Sequence, residues 1–323
     1  MTQPISRRGL ILSSAAAAAS SALPEALFAE SPSRPTSSPV SLAYRPLVLK
    51  LAHTWTIARG SSDEKKNGLL TITAEGVTGY GEAAANKRWN QSWETSEAAY
   101  AKVEKAVQGL SPWDHLTWLE KAEAAAGNDH EVVAALDIAL WDWKGKRLGR
   151  PVHQLLGVPA SGMPVTTFSI GIDSAEVMKQ KTKEAAAFPK LKIKIGLPSD
   201  EENIAAIRSV SSQALTVDAN EGWATVEEAR RKILWLNGVK PLYLEQPMPA
   251  ALDAEMVKLK GLAAYPVLGD EGVLTAADVA KKAGLFDGVV VKLAKDPFTG
   301  LKIANGVWTM PEGPGLGVTP VQA

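Results

Sequence analysis

Residues 190–196 read KLKIKIG, and this stretch decides the fold. Because successive side chains of a strand point to opposite faces, Lys192 and Lys194 share one face, and the three apolar residues around them share the other. The apolar face would pack outward against helices, so the two lysines would point inward. Lysines in such an interior are costly unless anions or a function hold them there.

Four further short apolar runs follow, and each ends at or near an ionisable residue. The residues that close the five runs, at successive spacings of 24, 27, 25 and 22, are Lys194, Asp218, Glu245, Asp270 and Lys292. A strand, a helix and two loops of a parallel βα barrel take roughly 25 to 30 residues. Functional side chains in such barrels lie where the strands end. The spacing therefore predicts an α/β barrel with five ionisable groups around one mouth.

The mixture of these groups indicates a metal-assisted proton transfer. Asp218, Glu245 and Asp270 supply three hard oxygen ligands, the set expected for Mg²⁺, which keeps other positions for water and substrate. A lysine beside a divalent cation in a desolvated site loses its proton more readily. Lys194 and Lys292, on the second and sixth predicted strands, would approach a substrate from opposite sides. One could take a proton from a carbon acid and the other could return one.

The motifs around these residues resemble the muconate-lactonizing subgroup of the enolase superfamily. Among its members they are most similar to dipeptide epimerases acting on L-Ala-D/L-Glu. The motifs are KIKIG at 192–196, DAN at 218–220, EQP at 245–247, DE at 270–271 and VKL at 291–293. The resemblance implies a TIM-like (β/α)7β barrel with an N-terminal α+β capping domain, and 1,1-proton transfer through a metal-stabilised enolate.

The resemblance also assigns a role to each residue. It implies Asp218, Glu245 and Asp270 as Mg²⁺ ligands, and Lys194 and Lys292 as the acid/base pair, a combination of lysine and Mg²⁺ known in this superfamily. Lys192 would be a supporting cation near the substrate carboxylate.

The chain departs from the family after the sixth predicted strand. Two further βα units need about 50 to 60 residues, yet only 31 residues follow Lys292. The seventh and eighth strands are therefore predicted to be missing, cut out between about residues 295 and 305. The family's eighth-strand aspartate pair, which holds the substrate ammonium group, has no counterpart. An open barrel edge also predicts reduced stability.

Three functions stay open. The first is a Mg²⁺-dependent epimerase that acts on a dipeptide, and this dipeptide is expected to be a fragment of the cell wall. The second is another enolase-superfamily activity, an N-acylamino acid racemase or a cycloisomerase. The third is a truncated and catalytically silent relative that only binds metal.

Residues 42–160 are predicted to form the capping domain. Strands are expected at 47–57 and 68–80, joined by a loop at 59–67, and helices at 94–108, 116–126 and 131–147. Asn128 and Glu131 have the spacing of a capping box at the start of the last helix. By the resemblance, residues 54–60 would close over the substrate. Arg59 is a candidate substrate contact there, and a solvated loop arginine is the alternative.

The remaining segments complete the predicted organisation. Residues 1–29 have the Arg7-Arg8 pair and Ala/Ser-rich stretch of a twin-arginine signal peptide, which predicts a periplasmic protein. Residues 30–41 are expected to be a linker, 161–303 the catalytic barrel, and 304–323 a tail that returns to the capping domain.

Composition and net charge limit the kinds of molecule that the chain is expected to bind. The chain has 323 residues, of which 46% are hydrophobic, and it carries 35 basic and 35 acidic side chains, so its net charge is zero. Nothing in this balance indicates nucleic-acid binding, and a small-molecule substrate is expected. Cysteine is absent, which excludes disulfides and thiol chemistry. No membrane attachment is expected after signal removal, and a homo-oligomer stays open.

Overall fold

A computed structural model of the chain describes residues 39–291, 298–299, 302–304, 307–317 and 319–320. The predicted signal peptide at 1–29, most of the predicted linker and the predicted acid/base Lys292 lie outside the described residues. Among the helices of the described part, none combines the length and the apolar character needed to cross a bilayer.

The capping domain begins with a three-stranded antiparallel sheet of β1 (Ser41–Ile57), β2 (Gly60–Ala74) and β3 (Val77–Ala83). The predicted loop at 59–67 is wrong, because β2 starts at Gly60 and pairs with β1 along its polar first half. Backbone hydrogen bonds hold this hairpin whatever the polarity of its side chains. The predicted second strand is two strands, because Glu75 and Gly76 take positive φ values of 50° and 73° and form a tight hairpin turn.

Three helices cover this sheet, as predicted: α1 (Trp93–Ala106), α2 (His115–Ala126) and α3 (His130–Leu148). The expected capping box at Asn128 is wrong. The helix starts at His130, and the side chain of Asp129 accepts the hydrogen bond from the Val132 N–H at 3.3 Å. A short helix, α4 (Val152–Leu155), ends the domain.

The second domain is a sheet of six parallel strands in sequential order, and this confirms the α/β barrel-type fold. The strands are β4 (Phe168–Ile170), β5 (Lys190–Lys194), β6 (Ala214–Asp218), β7 (Leu244–Glu245), β8 (Val267–Gly269) and β9 (Gly288–Val289). The alternating helices are α5 (Ala175–Glu184), α6 (Asp200–Arg208), α7 (Val226–Val239), a 3₁₀ helix (Ala250–Leu259) and α8 (Ala276–Lys282). The outward apolar face of β5 forms the centre of the core, because Leu191 and Ile193 are fully buried.

Only short antiparallel pairs follow β9 in the described part of the chain. β10 (Phe298–Thr299) pairs with β13 (Thr319–Pro320), and β11 (Lys302–Ala304) pairs with β12 (Val307–Thr309). Within the described ranges, no seventh or eighth parallel strand joins the sheet.

The described part of the C-terminal tail contacts the capping domain. The Val152 N–H donates to the Gly315 carbonyl at 2.8 Å, and the Leu316 N–H donates to Asp142 Oδ1 at 2.9 Å. Gly315 has a φ of 72°, and a Cβ there would lie 2.3 Å from Asp142 Oδ1, so this contact requires glycine.

Candidate metal and acid/base site at the barrel mouth

Strand register brings the predicted charged residues together. Lys194 pairs with Asp218 across β5 and β6, and Asp218 pairs with Glu245 across β6 and β7. Asp270 directly follows β8, which ends at Gly269. Because parallel strands end at the same edge of the sheet, four of the five predicted groups lie at one mouth. Lys292 lies outside the described residues, so its place at this mouth stays a prediction.

Three carboxylates form a compact buried group. Asp218, Glu245 and Asp270 each offer an oxygen within 4.8 Å of the others, and their exposed fractions are 0%, 0% and 6%. Buried carboxylates this close repel one another unless a cation compensates them. Three hard oxygen ligands at this spacing fit Mg²⁺.

Two more buried oxygens near this group accept no hydrogen bond within the described part of the chain: Asn220 Oδ1 and Glu271 Oε2. Their residues are tied to the carboxylate loops, because the Asn220 N–H donates to Asp218 Oδ1 at 2.9 Å and Glu271 follows Asp270. Buried acceptors without a donor suit water, which Mg²⁺ usually retains in its coordination sphere. These oxygens therefore add to the fit between the site and Mg²⁺.

Both lysines of β5 form ion pairs with the carboxylates. Lys192 Nζ lies 3.0 Å from Asp218 Oδ2 and 2.5 Å from Glu245 Oε2. Lys194 Nζ lies 2.6 Å from Asp218 Oδ2. The lysines thus supply part of the positive charge that the carboxylates need.

The two lysines differ in their protonation. Burial lowers the pKa of Lys194, and the nearby Lys192 ammonium lowers it further, although Asp218 opposes both effects. Burial alone would also lower the pKa of Lys192, but the charges of Asp218 and Glu245 outweigh it and raise the pKa above its usual range. Of the two, Lys194 therefore gives up its proton more readily, and Lys192 stays protonated.

The pKa of the Glu245 carboxyl reflects both its burial and the nearby negative charge. Burial, followed by the negative charge of Asp218, raises the pKa of Glu245 above its ordinary value. Burial and the charge of Asp218 together therefore outweigh what Lys192 compensates at Glu245. A divalent ion would remove this excess negative charge.

The tip of the β1–β2 hairpin lies across the mouth. The Ile172 N–H, just past β4, donates to the Thr56 carbonyl at 2.9 Å. The Trp55 ring faces Lys194, whose Nζ lies 5.8 Å from the ring centroid. At Gly196, a Cβ would lie 2.9 Å from the Ala58 Cβ and 2.5 Å from the Ala219 carbonyl oxygen, so the close approach of the tip requires glycine there.

Arg59 at this tip reaches the barrel. Its Nη1 donates to the Asn220 carbonyl at 2.8 Å and lies 3.0 Å from Glu221 Oε2 and 2.8 Å from Glu271 Oε1. The guanidinium therefore binds protein acceptors beside the carboxylates, and its role as a substrate contact stays a prediction.

Sequence reasoning missed four residues of the mouth: Trp55, Arg88, Glu221 and Gln246. Gln246 Oε1 accepts hydrogen bonds from the N–H groups of Asp270 at 2.9 Å and Gly272 at 3.2 Å, so it orients the third carboxylate loop. Its place next to Glu245 in the EQP motif could have identified Gln246 from the sequence. Arg88 and Glu221 are joined only by the folded chain, and no local pattern points to them.

Comparisons with known proteins fit this geometry. Residues 45–157 match the model of the mandelate racemase / muconate lactonizing enzyme N-terminal domain, and residues 174–296 match that of the enolase C-terminal domain-like family. An L-Ala-D/L-amino acid epimerase from Pedosphaera parvula is 38% identical over 264 residues, which cover 79% of this chain and 76% of that protein. The chain belongs to the enolase superfamily.

Two further proteins, one similar in sequence and one in structure, are also epimerases of this kind. An L-Ala-D/L-Glu epimerase from Bacteroides thetaiotaomicron is 35% identical over 280 residues, covering 86% of this chain and 72% of that protein. These relatives are epimerases, which are isomerases. A crystal structure of a dipeptide epimerase from Cytophaga hutchinsonii, complexed with Mg and D-Ala-L-Val, superposes with a TM-score of 0.80 at 20% identity. The match covers 89% of this chain and 96% of that one, and it shows the fold.

Proposed function

We propose that the chain is a Mg²⁺-dependent dipeptide epimerase, which inverts an α-carbon of an L-Ala-D/L-Glu-type dipeptide by 1,1-proton transfer. The observation that carries the proposal is the contact of Lys194 with Asp218 inside the buried carboxylate group. Its support in the comparisons is the similarity to epimerases of the enolase superfamily.

The proposed roles follow the charges of the site. Asp218, Glu245 and Asp270 would hold Mg²⁺. When bound, the ion supplies positive charge that lowers the cost of negative charge developing on the substrate carboxylate as the α-proton leaves. Lys192, which stays protonated, would lie beside the same carboxylate and add a second fixed cation.

Proton transfer is assigned to the lysines. Lys194, with its lowered pKa, would remove the α-proton from one face or return it. We propose Lys292 for the opposite face, on the basis of its motif alone. Arg59 is proposed to contact the substrate from the hairpin tip.

Deuterium exchange tests this function. L-Ala-L-Glu incubated with the protein and Mg²⁺ in D₂O should gain deuterium at an α-position and yield its epimer. Lys194→Ala should lower the exchange rate by about 10²- to 10⁴-fold. Lys190→Ala is the matched control, since Lys190 lies on the same strand but nearer its start, and it should exchange at the wild-type rate. Absence of exchange with every dipeptide would reject the proposal.

Two other functions have an observation in their favour. The family also includes N-acylamino acid racemases and cycloisomerases, and the sequence shows no recognisable motif for the aspartate pair that binds a dipeptide ammonium group in the family's dipeptide epimerases. Exchange with N-acylamino acids but not dipeptides would indicate the racemase. The six-stranded sheet of the described residues favours a relative that only binds metal. Stabilisation by Mg²⁺ without any α-proton exchange would indicate that relative.

We also propose that the chain is exported by the twin-arginine route to the periplasm, where the dipeptide would be a fragment of the cell wall. The proposal is supported by Arg7-Arg8 and the Ala/Ser-rich stretch that follows. Replacing both arginines by lysine should retain the protein in the cytoplasm, as measured by cell fractionation. Wild-type protein confined to the cytoplasm would contradict it.

A further inference from the structure

Two arginines of the capping domain converge on one carboxylate of the barrel. Arg88 lies in a 3₁₀ helix (Lys87–Trp89) and donates from Nε and Nη2 to Glu221 at 2.7 Å and 3.0 Å. Arg59 donates to the same carboxylate from the hairpin tip at 3.0 Å. Glu221 also accepts from the Ala250 N–H at 2.9 Å, so its oxygens have four donors.

Glu221 belongs to the loop that carries a metal-site carboxylate. It follows Asp218 by three residues, and the Asn220 N–H between them donates to Asp218 Oδ1. Asn220 and Glu221 have positive φ values of 44° and 67°, a conformation that non-glycine residues rarely adopt. A strained backbone of this kind persists only where its surroundings fix it, and the four donors to Glu221 provide this constraint.

Arg59 extends the contact to a second loop. Its guanidinium lies between Glu221 and Glu271, and Glu271 directly follows the carboxylate of Asp270. The capping domain therefore binds the loops after β6 and after β8, which adjoin two of the three clustered carboxylates, Asp218 and Asp270.

The Arg88–Glu221 pair has the geometry of a strong contact. It is bidentate, the Glu221 side chain is 8% exposed and that of Arg88 is 31% exposed. Bidentate charge-assisted pairs of this kind fix geometry as well as contribute energy. Loss of Glu221 would leave the partly buried Arg88 guanidinium without its ion-pair partner.

We propose that Glu221 is a positioning residue, which couples the seating of the capping hairpin over the mouth to the placement of the Asp218 loop through its ion pairs with Arg88 and Arg59. The latch is defined as Arg59, Arg88 and Glu221, and Glu221 orders the mouth through its contacts with the two arginines.

Hydrogen exchange tests the latch without metal or catalysis, so failure of the proposed function would leave this readout intact, and Mg²⁺ titration adds a second readout that rests on the proposed metal site. Arg88→Ala and Glu221→Gln should each raise amide exchange in residues 54–61 by about 10-fold and weaken Mg²⁺ binding several-fold. The double variant should be no worse than Glu221→Gln alone, because that substitution already removes the ion pair with Arg88. Arg88→Lys keeps the positive charge but loses the bidentate hydrogen bonding. Its effects on amide exchange and on Mg²⁺ binding should therefore lie between those of the wild type and of Arg88→Ala.

Two references separate the latch from general destabilisation. Arg231→Ala breaks an exposed Arg–Glu pair with Glu201 at 2.7 Å and should change neither readout. Residues 69–72 of β2 are largely buried and should keep their wild-type exchange. Equal acceleration at 54–61 and 69–72, additive effects in the double variant, or unchanged exchange and Mg²⁺ affinity would each overturn the proposal.

Discussion

The capping domain and the barrel mouth are stabilised in opposite ways. The capping domain buries large apolar side chains such as Trp118 and Trp143, and its buried polar groups bind one another, as Ser96 Oγ donates to Asp129 at 2.8 Å. The mouth instead concentrates carboxylates and ammonium groups within a few ångströms. Stability of the first region depends on area removed from water, and that of the second on balanced charge. The two regions should therefore respond differently to substitution and to Mg²⁺.

The largest effect is expected in the apolar region. Trp143 is fully buried and its Nε1 donates to the Ala74 carbonyl at 3.0 Å. Trp143→Ala should lower the free energy of unfolding by about 3 to 5 kcal/mol, because it leaves a cavity and removes this hydrogen bond. Urea unfolding measures this loss, which Mg²⁺ should not change. Leu116→Ala, at an 83% exposed position, is the control and should cost less than about 0.5 kcal/mol.

At the mouth, loss of one cation should be nearly as costly but should depend on Mg²⁺. Lys192→Met removes the ammonium that lies 3.0 Å from Asp218 Oδ2 and 2.5 Å from Glu245 Oε2, and should lower the free energy of unfolding by about 3 kcal/mol in metal-free protein. Saturating Mg²⁺ should recover part of this loss, since the ion compensates the same charges. A loss that is the same with and without Mg²⁺ would erase the distinction between the two regions.

The smallest effect concerns a helix cap in the capping domain. Asp129→Ala removes the acceptor for the Val132 N–H and for the Ser96 hydroxyl, and should cost about 1 to 2 kcal/mol, as measured by thermal unfolding. Asn128→Ala should have little effect, because only the backbone carbonyl of Asn128 is used, as the acceptor for Gln91. The reverse order would restore the cap position that the sequence pattern suggested.

Local patterns explain why much of the architecture was predictable. The alternation in KLKIKIG and the regular spacing of strand ends depend on residues near one another in sequence, and they placed Lys194, Asp218, Glu245 and Asp270 at one mouth. The hairpin was mispredicted because residues 60–67 are polar, whereas backbone pairing with β1 makes them a strand. The latch could not be predicted from the sequence, because Arg88 and Glu221 are 133 residues apart and only the fold brings them together.

The most direct test of the site is a calorimetric titration of Mg²⁺ into metal-free wild-type protein and into Glu245→Gln. We expect one Mg²⁺ per chain in the wild type. Binding in the variant should be at least about 100-fold weaker, since loss of an outer contact alone can cost 10- to 100-fold. Wild-type protein that binds no Mg²⁺, or a variant that binds it equally well, would contradict a divalent-ion site built from Asp218, Glu245 and Asp270.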